Sequence, residues 1–274
     1  DSVQQFFLHV KSRHNGHVFN EKFLDKNDVF SALARDPTVR RLLPESHLFT
    51  KYEQLNSMCK RYGCVFLKPV TGSLGKGIIR ISRDGGRIIC QFASLSGSVR
   101  KTYSSLLKAF PTIKSKVQGK RYLIQQGLTL ITVMERPVDF RALVQKNPHN
   151  SWSITSIVGR IASNQSFVSN VARGGKLCAA RIALMQSNLP SHLVASVYMT
   201  LRKAALDIAQ VLDSEIPYHF AELGIDLAVD AAGRVWLLEV NSKPSKMDGT
   251  PLSTGKIRPS VKKMLLYSRA LSGM

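Results

Sequence analysis

Apolar side chains recur every three or four residues in several stretches of the chain, which is the period of an amphipathic helix. The longest of these stretches carries Leu193, Val197 and Leu201 on one face, and a face of this kind belongs in a core. Two others end on stop signals, because one runs into Asp36-Pro37 and the other into Gly63. The pattern predicts helices over residues 20–35, 51–62, 102–109 and 191–213.

Runs of β-branched and aromatic residues alternate with turn signals elsewhere in the chain. Asp84-Gly85-Gly86 and Asp230-Ala231-Ala232-Gly233 each separate two such runs, and this spacing is typical of antiparallel hairpins. Hairpins combined with helices that pack against them are typical of the α+β class. The sequence therefore predicts an α+β fold with antiparallel sheets, whose strands cover residues 64–69, 77–82, 87–92, 121–126, 138–145, 152–160, 224–229 and 234–240.

The composition is that of a globular protein, since 44% of the 274 residues are apolar and 21% are charged. No apolar run approaches the roughly 18 residues that a membrane span requires. The four cysteines form no CxxC pair, which argues against a zinc site or a disulfide framework and favours a reducing, cytoplasmic compartment. The chain starts with Asp1 and shows no signal peptide, so we expect a trimmed chain or a fragment.

Positive charge is concentrated in the middle of the chain. The net charge is +21, and residues 61–206 hold 22 basic side chains against three acidic ones. Residues 1–60 carry nine basic and seven acidic side chains, and residues 207–274 carry eight of each. A field of this strength attracts nucleotide phosphates, acidic peptides, nucleic acid or anionic surfaces. A basic protein that only needs solubility is the alternative.

A glycine-rich loop follows the first predicted strand, in the sequence FLKPVTGSLGKGIIRIS over residues 66–82. A Walker A loop does not fit, because Gly77 stands where a serine or threonine is required. A dinucleotide-binding fingerprint does not fit either, because Arg80 replaces its last glycine and a strand follows instead of a helix. Glycines let backbone N–H groups approach an anion, and lysines add charge. The segment predicts an anion-binding flap, with an ordinary hairpin bearing exposed lysines as the alternative.

Two carboxylates and an amide lie on the last predicted hairpin. A turn centred on residues 231–232 makes Glu239 a diagonal neighbour of Asp226, and Asn241 follows on the same face as Glu239. These hard oxygen ligands suit Mg²⁺. The strand around them is almost continuously apolar, so an acid buried there would be costly without a cation. The hairpin predicts a metal site, with a polar outer face as the alternative.

Seven short motifs occur in order along the chain. They are Asp25-Lys26, Leu67-Lys68-Pro69, the flap Gly72-Ser73-Leu74-Gly75-Lys76-Gly77, a hinge strand with Gln125-Gln126, Asp139-Phe140-Arg141, Asn170-Val171-Ala172-Arg173-Gly174-Gly175, and Gly224-Ile225-Asp226 with Leu238-Glu239-Val240-Asn241. In this order they resemble the ATP-grasp superfamily, and in particular its YheC/YheD-like branch, which is associated with endospore formers. The resemblance runs from about residue 20 to residue 250 and implies two α+β subdomains with antiparallel sheets that clasp ATP between them.

The resemblance also implies a division of the chain and a nucleotide site. Residues 1–48 would form a reduced N-terminal segment, residues 49–124 the small subdomain with the flap, and residues 125–274 the subdomain with the metal site. Lysines and the flap would hold the phosphates, the hinge strand would line the adenine, and one or two Mg²⁺ ions (or Mn²⁺) would bridge the phosphates. The implied ATP-binding residues are Lys26, Lys68, Gly72, Ser73, Gly75, Lys76, Gly77, Gln125, Gln126 and Leu128, and the implied metal ligands are Asp226, Glu239 and Asn241.

Two of the motifs are also similar to those of RimK-type glutamate ligases and glutathione-synthetase-like ligases. In those enzymes the matching groups lie near the transferring phosphate and the acyl substrate. The resemblance implies an ATP-dependent carboxylate–amine ligase that works through an acyl phosphate and releases ADP and phosphate. The residues implied for this chemistry are Arg141, Asn170, Arg173 and Arg160, and for each arginine a surface cation is the alternative.

The basic middle region adds an expectation about the substrate, namely an anionic or peptide-like acceptor such as an acidic peptide. Two alternatives from other classes stay open. One is a spore-associated or scaffold protein that binds nucleotide without turnover, although Asp226, Glu239 and Asn241 are all present. The other is a nucleic-acid-binding protein, which the sequence disfavours because no aromatic residues interleave with the basic ones as a stacking surface requires.

Overall fold

The computed structural model describes residues 19–72, 75–94, 97–163, 175–245 and 257–273, together with Gln5, His9, Ser12 and Arg13. The strands of these residues form two sheets in which every pairing is antiparallel. This confirms the predicted α+β class. The strands are β1 (Ser46–Leu48), β2 (Cys64–Pro69), β3 (Ile79–Asp84), β4 (Arg87–Ser94), β5 (Gly97–Tyr103), β6 (Tyr122–Gln126), β7 (Thr132–Val133), β8 (Arg136–Lys146), β9 (Trp152–Ile161), β10 (Lys176–Ala179), β11 (Glu222–Val229) and β12 (Val235–Asn241). The helices are α1 (Lys26–Arg35), α2 (Pro37–Arg40), α3 (Tyr52–Tyr62), α4 (Leu106–Val117), α5 (Ala180–Gln186), α6 (Val194–Glu215) and α7 (Pro259–Leu271).

The first sheet has the strand order β1-β6-β2-β3-β4-β5. Alternate residues of its strands, such as Val65, Leu67 and Ile81, are fully buried and pack with α3 and α4 in one core cluster. Because side chains alternate between faces along a strand, the intervening Phe66, Lys68 and other residues lie on the opposite face. This second face of the sheet is turned away from both helices.

The second sheet has the order β10-β9-β8-β11-β12, and β7 pairs with β8 at its side. β11 lies inside this sheet and is buried along its whole length. On one face, Phe140, Ile225 and Leu227 form a core with the apolar face of α6 and with α1. The opposite face carries charged side chains of β8, β9, β11 and β12. α7 packs against β8 near Gln145, whose side-chain amide donates to the Ser260 carbonyl.

Several predicted elements agree with the structure and some are wrong. α3 ends at Gly63, which adopts a left-handed conformation with φ 67°. The first predicted helix begins only at Lys26, because Asp25 caps it by accepting a hydrogen bond from the Asp28 N–H. The helix expected over 102–109 begins at Leu106 and runs to Val117, and residues 97–103 form a strand instead. That strand is exposed at the sheet edge and therefore lacks the alternating apolar pattern that indicates a strand.

Other parts of the sequence interpretation have simpler outcomes. All four cysteines are free. No helix among the described residues is long and apolar enough to cross a membrane.

The predicted division of the chain at residues 48/49 and 124/125 stays a prediction. In the structure, the first sheet draws its strands from residues 46–126, and α1 belongs to the core of the second sheet.

Candidate active site

A small cleft lies where the glycine-rich loop meets β12. It joins the end of β2, the start of α1 and the loop to a carboxylate of the second sheet. Both lysines predicted to hold phosphates line it. The full lining consists of Lys26, Lys68, Pro69, Gly72, Gly75, Lys76, Ile78 and Glu239.

Lys26 reaches this cleft because it is the first residue of α1. Its backbone N–H donates to the carbonyl of Val70 at 3.2 Å, which holds the start of the helix against the end of β2. Its Nζ lies 3.0 Å from Glu239 Oε1 and donates to the Gly72 carbonyl at 3.2 Å. One cation thus connects the second sheet to the loop.

The segment before α1 is fixed to the second sheet through a buried asparagine. Asn20 adopts a positive φ of 55°, and its Nδ2 donates to the carbonyls of Glu222 and Ser242 at 3.1 and 2.5 Å. Its Oδ1 accepts from the N–H groups of Ala221 and Glu222 at 2.9 and 3.2 Å. These four bonds fix the path of the chain that leads to Lys26. Asparagine is one of the few residues that tolerates this backbone conformation.

Lys68 is held by a neutral partner. Its Nζ donates to Gln125 Oε1 at 2.5 Å, and the Gln125 Nε2 donates in turn to Ser46 Oγ at 2.9 Å. No carboxylate among the described residues forms an ion pair with this ammonium. Burial lowers the pKa of Lys68 to about 8, since the more distant Glu239 offsets it only in part and Lys26 lowers it further. An anion placed in the cleft would restore the ordinary pKa.

The loop between β2 and β3 depends on its glycines. Gly72, Gly75 and Gly77 have φ of 124°, 68° and 76°, which L side chains adopt only with strain. At Gly77 a Cβ would also lie 3.2 Å from both the Pro69 ring and the Tyr122 hydroxyl. The Tyr122 hydroxyl donates to the Gly77 carbonyl at 3.2 Å, which fixes the end of the loop. Ser73 of the predicted flap lies outside the described residues.

Asp226 and Glu239 stand directly opposite each other on β11 and β12. The predicted diagonal relation is therefore wrong. A β-bulge between Asp226 and Leu227 shifts the register, because Leu227 pairs with Leu237 and Leu238 is left over. A bulge inserts one extra residue and re-aims the side chains beyond it. Asn241 pairs with Gly224 at the end of the same ladder.

Two arginines from neighbouring strands converge on Asp226. Arg141 of β8 forms a forked ion pair with it, through Nε to Oδ1 and through Nη2 to Oδ2 at 2.8 Å. Arg160 of β9 reaches Asp226 Oδ2 at 3.1 Å and forks onto Asp139 at 2.5 and 2.9 Å. All four side chains are largely buried, with 7 to 22% of each exposed. They form an alternating ladder of two cations and two anions.

The ladder fixes the charge state of its members. Burial alone would raise the pKa of Asp226, but Arg141 and Arg160 outweigh it and lower that pKa below its ordinary value. Burial works against the charged guanidinium of Arg160, yet Asp226 and Asp139 raise its pKa above the ordinary value. The same balance, with Asp226 as the main partner, raises the pKa of Arg141. The pairing therefore favours the charged forms of Arg141, Arg160 and Asp226.

The oxygen atoms that the protein's own cations leave open on this hairpin are of the type that a divalent cation takes, with Lys26 on Glu239 Oε1 and two arginines on Asp226. Glu239 and Asn241 are half-buried on alternate positions of β12, and both offer oxygen atoms. A carboxylate has about four lone-pair sites, and the arginines occupy three of those on Asp226. A site thus remains on Oδ1. No cluster of three or more His, Cys, Asp or Glu side chains occurs in the part of the chain that the structure describes, so phosphate and water would complete the shell of a Mg²⁺ ion.

The remaining predicted residues are dispersed or outside the described residues. Gln126 Oε1 accepts from the backbone N–H of Glu45 at 3.1 Å, so this side chain stabilises the approach to β1. Leu128 is half-buried in the connection between β6 and β7. Asn170 and Arg173 lie outside the described residues. Their roles, and those of the other predicted binding residues, stay predictions.

Sequence reasoning assigned no role to Asp139, which the structure shows as the second carboxylate of the ladder. A signal was available, because Asp139 and Arg141 alternate on β8 and so share a face. The pairing of Asp139 with Arg160 required the register between β8 and β9. That register is set by the whole sheet and not by either strand.

Comparison with solved structures identifies the fold. The C-terminal domain of Pby1 from K. lactis, described as an ATP-grasp enzyme that interacts with the mRNA decapping enzyme Dcp2, matches with a TM-score of 0.50 and 14% identity over 90% of this chain and 72% of that chain. The ATP-grasp ligase PsnB, solved with a minimal precursor, matches with a TM-score of 0.51 and 13% identity over 89% of this chain and 60% of that chain. The protein has an ATP-grasp fold.

Comparison of sequences narrows the class to one family. The chain belongs to the YheC/D-like ATP-grasp family, whose model matches residues 15–271. It is 31% identical over 229 residues to the endospore coat-associated protein YheD of Bacillus subtilis (strain 168), and 25% identical to the endospore coat-associated protein YheC of the same strain. These matches cover 83% and 81% of this chain but only 50% and 60% of the relatives. The chain thus spans about half the length of the curated relatives it matches.

Proposed function

We propose that this chain binds Mg²⁺-ATP in the cleft and acts as a carboxylate–amine ligase that releases ADP and phosphate. The observation that carries the proposal is the convergence of Lys26 and Lys68 with the glycine-rich loop, opposite Glu239. Lys68 is the decisive member, because this half-buried lysine donates to a neutral glutamine. A cation in that state is suited to a phosphate oxygen.

In this proposal each part of the cleft has one task. Lys26, Lys68, Lys76 and the N–H groups of the loop bind the phosphates, and the loop excludes water. The hinge strand with Gln125 and Gln126, and the backbone to Leu128, line the adenine. Asp226, Glu239 and Asn241 hold Mg²⁺, which when bound neutralises phosphate charge and orients the γ-phosphate.

The reaction needs no protein nucleophile. An oxygen of the substrate carboxylate attacks the γ-phosphorus, the bond from that phosphorus to the β–γ bridging oxygen breaks, and ADP leaves. The resulting acyl phosphate is attacked at its carbonyl carbon by the amine, which forms the amide as phosphate departs and the amine loses a proton. The protein positions the reactants and neutralises charge, as is usual for phosphoryl transfer.

The arginines would act on the acyl side of this reaction. Arg141 and Arg160 are held rigidly by Asp226 and Asp139, so their remaining N–H groups are pre-oriented. We propose that they stabilise the charge on the transferring phosphoryl group, with Asn170 and Arg173 near the same group. The names of the curated relatives support a setting at the endospore coat for this activity.

The test is release of ADP and phosphate from Mg²⁺-ATP over a panel of amino acids and acidic peptides. Glu239→Ala serves as the inactive variant, and Glu53→Ala, which removes an exposed carboxylate of α3, serves as its matched control. Turnover that requires both a carboxylate and an amine, and that Glu239→Ala alone abolishes, would support the ligase. If no pair of substrates gives release while Mg²⁺-ATP still raises the melting temperature, the chain is a nucleotide-binding scaffold.

A further inference from the structure

The first sheet carries a positive charge that its own acidic residues do not balance. Residues 64–126 contain twelve lysines and arginines in total, and the only acidic residue in this range is Asp84. Asp84 lies in the hairpin turn between β3 and β4, where it pairs with Arg87 in the strand register. The rest of the sheet therefore has no carboxylate of its own to neutralise its cations.

Two of these arginines form a row on the face of the sheet that is turned away from α3 and α4. Arg80 of β3 pairs with Gln91 of β4, and Gln91 pairs with Arg100 of β5, so the three side chains share one face. Arg80 Nη1 donates to Gln91 Oε1 at 2.9 Å. Neighbouring strands lie about 4.8 Å apart, which places the two arginine positions about 10 Å from each other. We call Arg80, Gln91 and Arg100 the arginine row.

The row continues from the cleft. Arg80 pairs with Phe66 of β2, two residues before Lys68 on the same face, and Arg80 itself follows Ile78 of the cleft lining by two residues. Neither arginine of the row belongs to the lining of the cleft. An extended ligand that enters the cleft from this side would cross the row first.

Protection of an exposed sheet edge does not account for the row. Charged residues on an edge strand prevent pairing with other chains, and this explains Arg100, which is exposed on β5. Arg80 lies on an interior strand and is half-buried. Neither side chain forms an ion pair with a carboxylate among the described residues. An arginine that is partly removed from water without a carboxylate is suited to an external anion.

We propose that the arginine row binds the acidic side chains of a peptide substrate whose reacting group enters the cleft. This rests on the proposed ligase function and names the class of its acceptor. Two forked guanidinium groups match two carboxylates, and an extended chain at roughly 3.3 Å per residue spans the row with about three residues. Phe66 of β2 is the only aromatic side chain that the described residues of β2 to β5 place on this face, whereas a nucleic-acid surface stacks successive bases on several aromatic rings.

The test measures binding of a fluorescein-labelled oligoglutamate peptide to the full chain by fluorescence anisotropy, at one fixed ionic strength. Arg80→Gln with Arg100→Gln is expected to raise the Kd at least tenfold. The matched control is Lys108→Gln with Lys114→Gln, which removes the same charge from exposed positions of α4 on the other face of the sheet. It is expected to change the Kd less than twofold. Arg100→Gln alone, at an exposed edge position, keeps the test valid if the double variant does not fold.

Each outcome has a distinct meaning. Equal increases of the Kd in the double variant and its control would overturn the proposed role of the arginine row. Peptide binding would then depend only on the overall positive charge. A parallel loss of ATP affinity, measured by thermal shift, would also overturn it, because Arg80 would then belong to the nucleotide site. Displacement of the peptide by duplex DNA at a lower concentration than by unlabelled peptide would identify a nucleic-acid surface instead. If the row binds peptide as expected while no acceptor supports ADP release, the ligase fails and the binding surface stands.

Discussion

The two sheets differ in the partners that they provide for partly buried cationic side chains. In the second sheet, Arg141 and Arg160 are each forked onto a carboxylate of a neighbouring strand. In the first sheet, Lys68 donates to the neutral side chain of Gln125 and forms no ion pair with a carboxylate among the residues that the structure describes. Both lie on the sheet faces turned away from the main helices, and the difference lies in their partners.

This difference indicates which sheet has a complete set of interactions without a ligand. The four charges of the ladder neutralise one another, so it is held in place before any ligand binds, at the expense of three desolvated ion pairs. The first sheet keeps a cation whose pKa is lowered to about 8 by burial. That cation gains most when a phosphate arrives. In the proposed ligase, arginines held rigidly on the acyl side and a lysine that gains from phosphate binding would together favour phosphoryl transfer.

The largest effect is expected from removing the centre of the ladder. Asp226→Ala leaves two buried guanidinium groups short of a partner, and breaking a buried pair costs about 3–5 kcal/mol. Equilibrium unfolding in urea measures this loss. Glu239→Ala is the comparison, because Glu239 is 28% exposed and its loss leaves the one ammonium of Lys26, itself 13% exposed, without this partner, so a smaller loss is expected. Equal losses in the two variants would contradict the contrast between a self-contained ladder and an open cleft.

A smaller loss is expected from Asp139→Asn. Arg160 keeps its contact with Asp226 at 3.1 Å, so the variant loses charge-assisted hydrogen bonds, which contribute about 1.5–3 kcal/mol. If Asp139 positions Arg160 for the acyl side, kcat should fall while the KM for ATP stays unchanged. A raised KM for ATP with an unchanged kcat would place Arg160 on the nucleotide side instead.

Gly77→Ala should destabilise the first sheet at the edge of the cleft. A left-handed conformation costs an L residue roughly 1–2 kcal/mol, and the new Cβ would also press on Pro69 and Tyr122 at 3.2 Å. Gly119→Ala is the matched control, because Gly119 has a similar φ of 74° but nothing within 4 Å of a Cβ. Urea unfolding should show a greater loss for Gly77. If the two variants lose the same stability, the contacts around Gly77 contribute nothing.

The smallest expected effect is the uptake of a proton by Lys68 when nucleotide binds. The pKa of Lys68 is lowered to about 8 by burial, so near that pH a fraction of this amine is neutral in the free protein. A phosphate beside it raises that pKa, and nucleotide binding should therefore take up a fraction of a proton. Titration calorimetry of Mg²⁺-ATP binding in two buffers of different ionisation enthalpy measures the uptake. Lys68→Gln should abolish it, and an unchanged uptake in that variant would assign the proton to another group.

Local patterns in the sequence were sufficient for much of the fold. The end of α3 at Gly63 and the turn at Gly85-Gly86 follow from backbone conformations that only glycine adopts readily. The period of α6 and the apolar runs of β2 and β11 indicate their structure for the same local reason, since each pattern reflects one buried face or strand. β5 and β10 gave no such signal because edge strands bury few side chains.

The candidate site shows where the sequence alone was insufficient. The residue types were sufficient to predict two cationic lysines, a glycine-rich loop and an acidic hairpin, because charge and backbone freedom are properties of single residues. Only the tertiary structure decided that Asp226 faces Glu239 directly, since a bulge at one position changes every pairing beyond it. Only the tertiary structure decided that Arg160 pairs with Asp139 and that Lys68 donates to Gln125, because strand order and register across the whole sheet determine the partners.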